Sequence, residues 1–349
     1  MSKYLQIDPE GYLISSGIRI QDEEFGRSVL QNLKLEDFTY SAEIDGHKVI
    51  VESFDEPIMA LDIEPLKDLE WRLLAPYGYE TQFNLNTLWL DEWDRFGGTT
   101  ISGCSFVLSR AAQARFFDTL DEFDDDSITF QGVKYKPHGR WKSKDDVSYH
   151  QFWSQIYSED KTPPWDLETY NPVLETATAQ LKLNKLRILV VGAGRAHDAV
   201  YFSRQGHIVT ALDFSPEAKR RFEEFYPQEK ENLQYVIGDI FNPPQDWKNS
   251  FDLIFDHTLF CAIDPYRRNE LIKTWTLLLH VDGSLLSIFF AMDKPAGPPY
   301  GATEWEIAQR LKDHFNLVYW TRCKNSHPRR MGKELLVYAH KQKKPTSKI

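Results

Sequence analysis

The pattern of hydrophobic and polar positions is most regular in the second half of the chain, from Lys185 onward. Short apolar runs alternate there with glycine-containing turns and amphipathic stretches. This rhythm predicts a parallel β-sheet with crossover helices. The predicted strands are residues 187–191, 208–213, 233–237, 251–256 and 284–290. Helices are predicted at 196–205 and 216–225, and an antiparallel edge at 317–322 and 334–340.

The first half has a different pattern of short alternating strands and few helices, which indicates an α+β fold. Asp45-Gly46 separates two alternating segments and is typical of a tight hairpin turn, because both residues tolerate positive φ. The predicted hairpin strands are 38–44 and 48–54, and the predicted helices are 22–33 and 109–120. Core packing is favoured over a binding surface for a group of aromatic residues, namely Trp71, Tyr77, Tyr79, Trp89 and Trp93.

Length and charge also divide the chain. Its 349 residues exceed the usual size of one domain. Residues 1–150 carry a net charge of −13, against +2 for the remainder. The polar stretch 137–151 has the composition of a linker. We therefore predict an α+β domain of unknown function over residues 1–147 and an α/β domain over residues 148–349.

Charge and composition exclude several classes of partner. The net charge of −11 disfavours nucleic acid. The chain has no signal segment and no 18-residue apolar run, so we expect a cytoplasmic protein without membrane contact. Its three cysteines and ten histidines follow no metal-binding spacing, and no metal is predicted. Cys261 is interpreted as a core thiol rather than a nucleophile.

A glycine turn, Gly192-Ala193-Gly194, follows the first predicted strand of the second half. Glycine lets a ligand approach the backbone where the N–H groups of the next helix face it. Asp213 ends the next strand, 19 residues after Gly194, where a carboxylate can accept hydrogen bonds from ribose hydroxyls. His197 stands where a dinucleotide motif needs a third glycine, which disfavours NAD and FAD. A tight turn without a ligand is the alternative.

Five blocks of the second half occur in a recognisable order. They are residues 152–166, 192–198, 212–216, 238–241 and 251–263, and they include Gly192-Ala193-Gly194, Asp213 and Gly238-Asp239. In this order they resemble the class I S-adenosylmethionine-dependent methyltransferases, specifically the thiopurine S-methyltransferase-like family with its thiol and halide methyltransferase branch. The resemblance covers about residues 150–341. It implies a Rossmann-like seven-stranded methyltransferase sheet, preceded by the separate α+β domain, and S-adenosylmethionine as cofactor.

The resemblance also implies roles for individual residues. Trp153, Tyr157 and Trp165 would form a lid over the cofactor, whose sulfonium their aromatic rings suit through cation–π attraction. The full set implied for cofactor binding is Trp153, Tyr157, Trp165, Gly192, Gly194, Asp213, Phe214, Asp239, Ile240 and His257. The set implied for the small-molecule acceptor is Phe260, Arg268 and Tyr300, with Arg267 as an alternative to Arg268.

The sequence departs from the family pattern at three of these positions. Ala193 replaces a cysteine and Ala196 a glycine, and both replacements are small. His257 replaces a tyrosine common in the thiol and halide branch, which bears on acceptor choice. The expected acceptor is a small soft nucleophile such as a thiol, a halide or a chalcogen species. No catalytic acid or base is assigned, because methyl transfer to such an acceptor depends mainly on positioning.

Two other functions remain as alternatives. One is a cofactor-sensing protein without turnover, which contacts a protein partner through its acidic first domain. The other is methyl transfer to nitrogen or oxygen, which needs a clearer general base. A role for the first domain in shaping the acceptor pocket is a further hypothesis.

Overall fold

The computed structural model describes residues 4–124, 127–143, 147–158, 162–229 and 233–343. These residues form two compact units. The first unit comprises Met1–Lys142 with two short later segments, Met292–Pro295 and Thr303–Glu306. The second comprises Ser143–Ala291, Ala296–Ala302 and Ile307–Ile349. The domain boundary predicted near residue 147 stays a prediction.

The first unit is built mainly of short strands. Its elements are β1 (Tyr4–Ile7), β2 (Leu13–Ser15), β3 (Ile18–Arg19), α1 (Glu23–Gln31), β4 (Lys34–Glu36), β5 (Thr39–Ile44), β6 (His47–Ser53), β7 (Ile58–Ala60), β8 (Asp62–Pro65), β9 (Glu70–Ala75), β10 (Tyr79–Asn84), β11 (Trp89–Leu90), β12 (Phe96–Thr99), β13 (Ser105–Leu108), α2 (Arg110–Thr119), β14 (Glu122–Phe123), β15 (Ile128–Phe130), β16 (Val133–Tyr135) and β17 (His138–Gly139). Its larger sheets have the strand orders β3-β2-β1-β6-β5-β4 and β17-β11-β12-β13-β7. The α+β class is confirmed.

Local signals in the first unit predicted its elements well. The hairpin of β5 and β6 turns at Asp45 and Gly46, which have φ of 51° and 74°. The side chains of Asp22 and Ser109 cap helices α1 and α2, each accepting a hydrogen bond from a backbone N–H three residues on. Four of the five aromatic residues assigned to the core are buried there, namely Trp71, Tyr77, Tyr79 and Trp89.

The predicted linker at 137–151 is wrong in part. Residues 144–146 lie outside the described residues, but strand β17 lies within the predicted linker. Arg140 is buried in the first unit, where its guanidinium pairs with the carboxylate of Glu56 at 2.8 Å. Polar composition does not imply solvent exposure here, because an arginine can be buried when a carboxylate neutralises it.

The rest of the chain alternates strands and helices. Its elements are β18 (Lys142–Ser143), α3 (His150–Ser158), α4 (Val173–Leu181), β19 (Arg187–Val191), α5 (His197–Arg204), β20 (Ile208–Asp213), α6 (Pro216–Phe225), β21 (Gln234–Ile237), β22 (Phe251–His257), α7 (Leu259–Ala262), α8 (Arg268–Leu278), β23 (Leu279–Phe290), β24 (Ala296–Gly297), α9 (Glu304–Leu311), β25 (Phe315–Arg322) and β26 (Glu334–Lys341). The predicted strands are confirmed, although β23 begins five residues before residue 284.

A seven-stranded sheet with the order β21-β20-β19-β22-β23-β26-β25 is the centre of the second unit. Strands β19 to β23 pair with one another in parallel, whereas β26 pairs antiparallel with both β23 and β25. Only β25 is therefore the antiparallel edge, whereas β26 is internal. The predicted α/β class and the seven-stranded sheet are confirmed.

Both faces of this sheet are buried, which explains its continuous apolar strands. Along β19, Leu189 and Val191 join one hydrophobic cluster, whereas Ile188 and Val190 join another. Successive side chains of a strand point to opposite faces, so the two clusters lie on the two sides of the sheet. Helices α8 and α9 contribute to the first cluster, and α4, α5 and α6 to the second.

The strand order reverses between β19 and β22. Strands β19 and β22 are adjacent in the sheet but not consecutive in the chain. The chain first forms β20 and β21 on one side of β19 and then crosses back to form β22 on the other side. In open α/β sheets such a switch point creates a crevice at the carboxyl ends of the strands, where ligands bind. The glycine turn after β19, Asp213 at the end of β20 and His257 at the end of β22 all lie at this edge. None of the described helices combines the length and hydrophobicity that a transmembrane span requires.

Candidate functional site

The glycine turn after β19 is joined directly to Asp213. The backbone N–H of Gly194 donates a hydrogen bond of 2.8 Å to Oδ2 of Asp213, and that of Ser215 donates one of 2.9 Å to Oδ1. The side chain is buried. Burial raises the pKa of Asp213, and the backbone donors oppose this rise by stabilising the carboxylate. The carboxylate of Asp213, predicted to bind ribose, is therefore hydrogen-bonded to the predicted glycine turn.

Backbone geometry explains the small residues of this turn. Gly192 and Gly194 have φ of 61° and 53°, in the left-handed region that favours glycine. A Cβ atom at Gly194 would lie 2.8 Å from the hydroxyl of Tyr157, and one at Gly192 would lie 2.9 Å from Cβ of Leu259. Ala196, which replaces a family glycine, also has a positive φ of 61°. The turn therefore excludes side chains at both glycines.

The three aromatic residues of the predicted lid form one cluster. The indole N–H of Trp165 donates to the hydroxyl of Tyr157 at 3.1 Å. The ring of Trp165 meets the rings of Trp153 and Tyr157 edge to face, with centroids 5.6 and 5.9 Å apart. Burial, assisted by the charge of Asp213, raises the pKa of Tyr157. This tyrosine therefore stays protonated at neutral pH.

Asp166, next to Trp165, anchors the segment that carries the lid tryptophan. Its carboxylate accepts hydrogen bonds from Nε of Arg195 and from Nε2 of His197, the latter at 3.0 Å. Burial acts to raise the pKa of Asp166, but these two donors outweigh it and hold the pKa well below its usual range. The anchor therefore stays ionised. His197, which stands where a dinucleotide motif has its third glycine, thus has a structural role.

His257 lies in a dense polar network rather than facing open space. Its Nδ1 is 2.7 Å from Oδ2 of Asp198, and its Nε2 is 3.1 Å from the side-chain nitrogen of Asn171. The Nε2 atom is also hydrogen-bonded by the guanidinium of Arg330. Because a guanidinium can only donate hydrogen bonds, Nε2 is the acceptor of the bond from Arg330. The ring proton is therefore assigned to Nδ1, which donates a hydrogen bond to Asp198. Both ring nitrogens are therefore engaged.

Arg330 connects this network to the lid. Besides His257, its guanidinium binds the backbone carbonyl of Trp165 and lies 3.3 Å from the carboxylate of Glu334. Glu334 is fully buried, and Asn171 donates to it at 3.0 Å. Neither Arg330 nor Asn171 has a role predicted from the sequence. The spacing of Arg330 and Glu334 gave no signal, because opposite charges four residues apart indicate a pair only on a helix, whereas Glu334 begins strand β26.

The remaining predicted cofactor residues lie around the ends of β20 and β21. Phe214 follows Asp213, and its ring meets that of His150 on α3 at 5.9 Å. Oδ1 of Asp239 accepts the backbone N–H of Phe241 at 2.9 Å, which shapes the loop after β21. Ile240 is buried in a hydrophobic cluster of the second unit. No described hydrogen bond joins the side chain of Asp239 to the glycine turn.

The predicted acceptor residues form a second group. Arg268 is fully buried, and its guanidinium donates to the backbone carbonyls of Phe260 and Tyr300 at 3.3 and 3.5 Å. Its Cζ lies 4.3 Å from the ring centroid of Phe260. The backbone N–H of Tyr300 donates to the carbonyl of Cys261 at 2.7 Å. Arg267 instead pairs with Glu270 at 3.0 Å on the surface, so Arg268 is the inward-facing arginine.

Two buried acidic groups lie next to this second group. Burial raises the pKa of the Cys261 thiol to about 12, which keeps it protonated and unreactive at neutral pH. Burial also raises the pKa of Asp256 to about 6, although the hydroxyl of Ser287 and two backbone N–H groups bind its carboxylate. Within the described ranges, no group of three or more His, Cys, Asp or Glu residues is arranged to hold a metal ion.

The residues at the glycine turn fit the S-adenosylmethionine that the sequence resemblance implies. An ionised carboxylate offers about four lone-pair positions, so Asp213 can accept ribose hydroxyls in addition to its bonds from Gly194 and Ser215. The glycine backbone presents no Cβ atoms to a ligand. The rings of the lid cluster suit a sulfonium cation, because aromatic faces attract cations without competing as nucleophiles.

Comparison with known proteins agrees with the family and the cofactor that the sequence resemblance implies. The model of the thiopurine S-methyltransferase family matches residues 148–344, more than half of the chain. Thiocyanate methyltransferase 1 of Arabidopsis thaliana is 32% identical over 190 residues, which are 53% of this chain and 82% of that protein. A protein named probable thiol methyltransferase 2 from the same plant is 32% identical over 165 residues, 46% of this chain and 70% of that protein.

Among solved structures, a Burkholderia thailandensis 1,6-didemethyltoxoflavin-N1-methyltransferase with bound S-adenosylhomocysteine has 24% sequence identity to the chain. The superposition covers 56% of this chain and 88% of that one, with a TM-score of 0.46.

Proposed function

The chain belongs to the thiopurine S-methyltransferase family through residues 148–344, and from this premise we propose that its methyl acceptor is a small, soft, anionic nucleophile. It is an S-adenosylmethionine-dependent methyltransferase of that family. Thiocyanate, a halide such as iodide, and a small thiolate are the acceptors of this kind. Bound S-adenosylmethionine supplies a methyl group on a positively charged sulfur, and its transfer leaves a neutral thioether.

The observation that carries the proposal is the burial of Arg268. A guanidinium remains charged at all physiological pH values, and burying it is costly unless negative charge or hydrogen-bond acceptors surround it. The backbone carbonyls of Phe260 and Tyr300 supply part of that environment. The positive charge and the N–H donors of this guanidinium suit a small anion, because charge-assisted hydrogen bonds to an anion are stronger than neutral ones. The names of the plant relatives, thiocyanate methyltransferase and probable thiol methyltransferase, are consistent with such an acceptor.

On the cofactor side, each residue has a binding role in this proposal. Asp213 accepts hydrogen bonds from the ribose hydroxyls, and the turn at Gly192 and Gly194 lies against the methionine part. Trp153 and Trp165 cover the sulfonium with aromatic faces and exclude water. Asp239 and Ile240 contact the adenine, and Phe214 lies beside the ribose. His257 borders this side through its network rather than acting as a base.

No acid or base is needed for the proposed transfer. Thiocyanate and halide ions have no proton to lose, and a thiol with a pKa of about 8.5 is already a few per cent ionised at neutral pH. Both nitrogens of His257 are engaged by Asp198 and Arg330, which suits a structural role. The contribution of the protein is then to align the acceptor with the methyl group and to exclude water.

A competition between acceptors tests this proposal. The purified full-length protein is incubated with S-adenosylmethionine and with thiocyanate, iodide, a small thiol or a small amine of similar size. Formation of S-adenosylhomocysteine is followed by liquid chromatography, and volatile methyl products by headspace gas chromatography. We expect product with the anions and with the thiol, and a rate for the thiol that rises with pH as more thiolate forms.

Two results would contradict the proposal. Methylation of the amine alone would show that the acceptor is a neutral nitrogen. Calorimetric binding of S-adenosylmethionine without product from any of the four acceptors would favour a sensing function instead.

A further inference from the structure

A segment between β23 and α9 passes through both compact units. Met292–Pro295 and Thr303–Glu306 belong to the first unit, whereas the residues between them, Ala296–Ala302, belong to the second. The family match covers this whole segment, since it extends over residues 148–344. The family part of the chain therefore contributes two short pieces to the first unit.

Asp293 anchors the first of these pieces by charge. The hydroxyl of Tyr40 donates to its carboxylate, and Arg140 pairs with the same carboxylate at 3.4 Å. The backbone N–H of Asp293 also donates to the carbonyl of Phe38 at 3.3 Å. Tyr40 and Arg140 are buried. Asp293 thus completes a buried cluster of the first unit, in which it shares Arg140 with Glu56.

Trp305 anchors the second piece by ring packing. Its backbone N–H donates to the carbonyl of Phe54 at 2.7 Å. Its indole meets that of Trp93 edge to face at 5.1 Å, and the Cζ atom of Arg95 lies 3.2 Å from its ring centroid. Arg95 also pairs with Asp55 and with another carboxylate of the first unit. The guanidinium therefore keeps carboxylate partners if the indole is removed.

The residues between the two anchors carry Tyr300. Its side chain is fully buried, its N–H donates to the carbonyl of Cys261 at 2.7 Å, and its carbonyl accepts from Arg268 at 3.5 Å. A Cβ atom at Gly297 would lie 2.5 Å from the ring of Tyr300, so the segment packs tightly on itself. A span this short, fixed at both ends, has little freedom to move.

We propose that the first unit is a positioning module for the acceptor side. By holding Asp293 and Trp305, it fixes the ends of the segment that carries Tyr300 and thereby keeps the Tyr300 carbonyl against Arg268. The inference rests on the proposed function, in which Arg268 and Tyr300 receive the acceptor. It gives the first unit a role in acceptor binding and not in cofactor binding. Asp293 and Trp305 are positioning residues that act through this segment.

Two variants of the full-length protein test the inference, Trp305→Ala and Asp293→Asn. We expect amide hydrogen exchange in residues 296–302 to become about tenfold faster in both, because the ends of the segment are released. The acceptor KM with thiocyanate should rise about tenfold, since small displacements of a positioning group strongly affect reaction. The Kd for S-adenosylmethionine should change less than about twofold.

The matched control is Asp62→Asn, which removes an exposed ion pair with Arg115 in the same unit. It should leave exchange in residues 296–302 and the acceptor KM unchanged. Equal exchange rates in wild type and Trp305→Ala, with both proteins folded by circular dichroism, would overturn the inference. If Asp293→Asn does not fold, Trp305→Ala decides alone, because Arg95 keeps its carboxylate partners there.

Hydrogen exchange also separates this inference from the proposed function. If the wild-type protein methylates no anion or thiol, the proposed function fails, whereas the exchange measurement still reports whether the first unit fixes the segment. Faster exchange with an unchanged KM would overturn the positioning role.

Discussion

Two buried charges, Asp213 and Arg268, show how differently the cofactor side and the acceptor side of the proposed site are built. Asp213 is held by backbone N–H groups of Gly194 and Ser215, the first of which is 19 residues away and the second only two. Arg268 is held by backbone carbonyls of Phe260 and Tyr300, the latter 32 residues away. The cofactor side is thus a local strand, turn and helix motif. The acceptor side is assembled from separate elements of the chain.

The two charges also respond differently to burial. Burial raises the pKa of Asp213, and its ionisation depends on the surrounding backbone N–H groups. A guanidinium is not deprotonated in proteins, so Arg268 keeps its charge whatever its surroundings. The charge of Asp213 therefore depends on precise local geometry, whereas the guanidinium of Arg268 stays cationic. Substitutions of Asp213 and of Arg268 separate these two contributions, and we expect the substitution of Asp213 to have the larger effect.

Asp213→Ala should have the largest effect. It removes the carboxylate that we propose accepts the ribose hydroxyls, and hydrogen bonds to charged groups contribute about 1.5–3 kcal/mol each. We expect the Kd for S-adenosylmethionine, measured by calorimetry, to rise about 100-fold or more. The control Asp252→Ala removes a carboxylate at the start of β22 that pairs with Arg187. Unchanged cofactor affinity in a folded Asp213→Ala protein would place the ribose elsewhere.

Arg268→Met should affect the acceptor and spare the cofactor. Methionine fills much of the volume but removes the cation, so the acceptor KM for thiocyanate should rise about tenfold to 100-fold, as loss of a charge-assisted contact predicts. The Kd for S-adenosylmethionine should change less than about twofold. Arg267→Met is the matched control, because Arg267 is paired with Glu270 on the surface. A larger KM effect in the control would reverse the assignment of the two arginines.

The same contrast explains what the sequence could predict. Gly192, Gly194 and Asp213 were predicted from spacing alone, because strand, turn and helix are consecutive and their backbone dictates where the carboxylate lies. Arg268 and Tyr300 were reached only through a family resemblance. Nothing in their spacing shows that residues 32 positions apart meet, since the approach depends on how α8 and the segment after β23 pack.

Polar networks were the hardest feature to predict. The family resemblance implies that His257 contacts the cofactor, but its partners Asn171, Asp198 and Arg330 come from three other parts of the chain. A hydropathy pattern does not distinguish a buried charged residue from one on the surface. Only the tertiary structure reveals the partners of the buried residue. The same reason explains why the linker prediction is wrong at Arg140, which is buried.

Asp256→Asn should change how stability depends on pH. The folded pKa of Asp256 is about 6, above the value of about 3.9 for an unfolded aspartate. The folded state therefore binds the proton more tightly, and stability is lost as pH rises from about 4 to about 6. Asparagine resembles the protonated form and avoids this loss. We expect the variant to gain about 3 kcal/mol relative to wild type between pH 4 and pH 7.

Urea unfolding of both proteins at several pH values measures this difference. Asp252→Asn is the control of opposite sign, because the hydrogen bond from Arg187 lowers the pKa of Asp252 in the folded state. That carboxylate contributes stability above its unfolded pKa, and the contribution is lost as pH falls. If the free energy of unfolding depends on pH in the same way in wild type and in Asp256→Asn, burial does not raise the pKa of Asp256.

Cys261→Ala should have the smallest effect, although Cys261 adjoins the acceptor residues. With a pKa of about 12 its thiol is almost entirely protonated at pH 7, so it cannot serve as an intermediate methyl carrier. We expect kcat and the acceptor KM to change less than about twofold, with a stability loss of about 1 kcal/mol from the small cavity. Ping-pong kinetics in the wild type, together with inactivity of the variant, would contradict direct transfer. Preserved activity would instead support direct transfer of the methyl group from the cofactor to the acceptor.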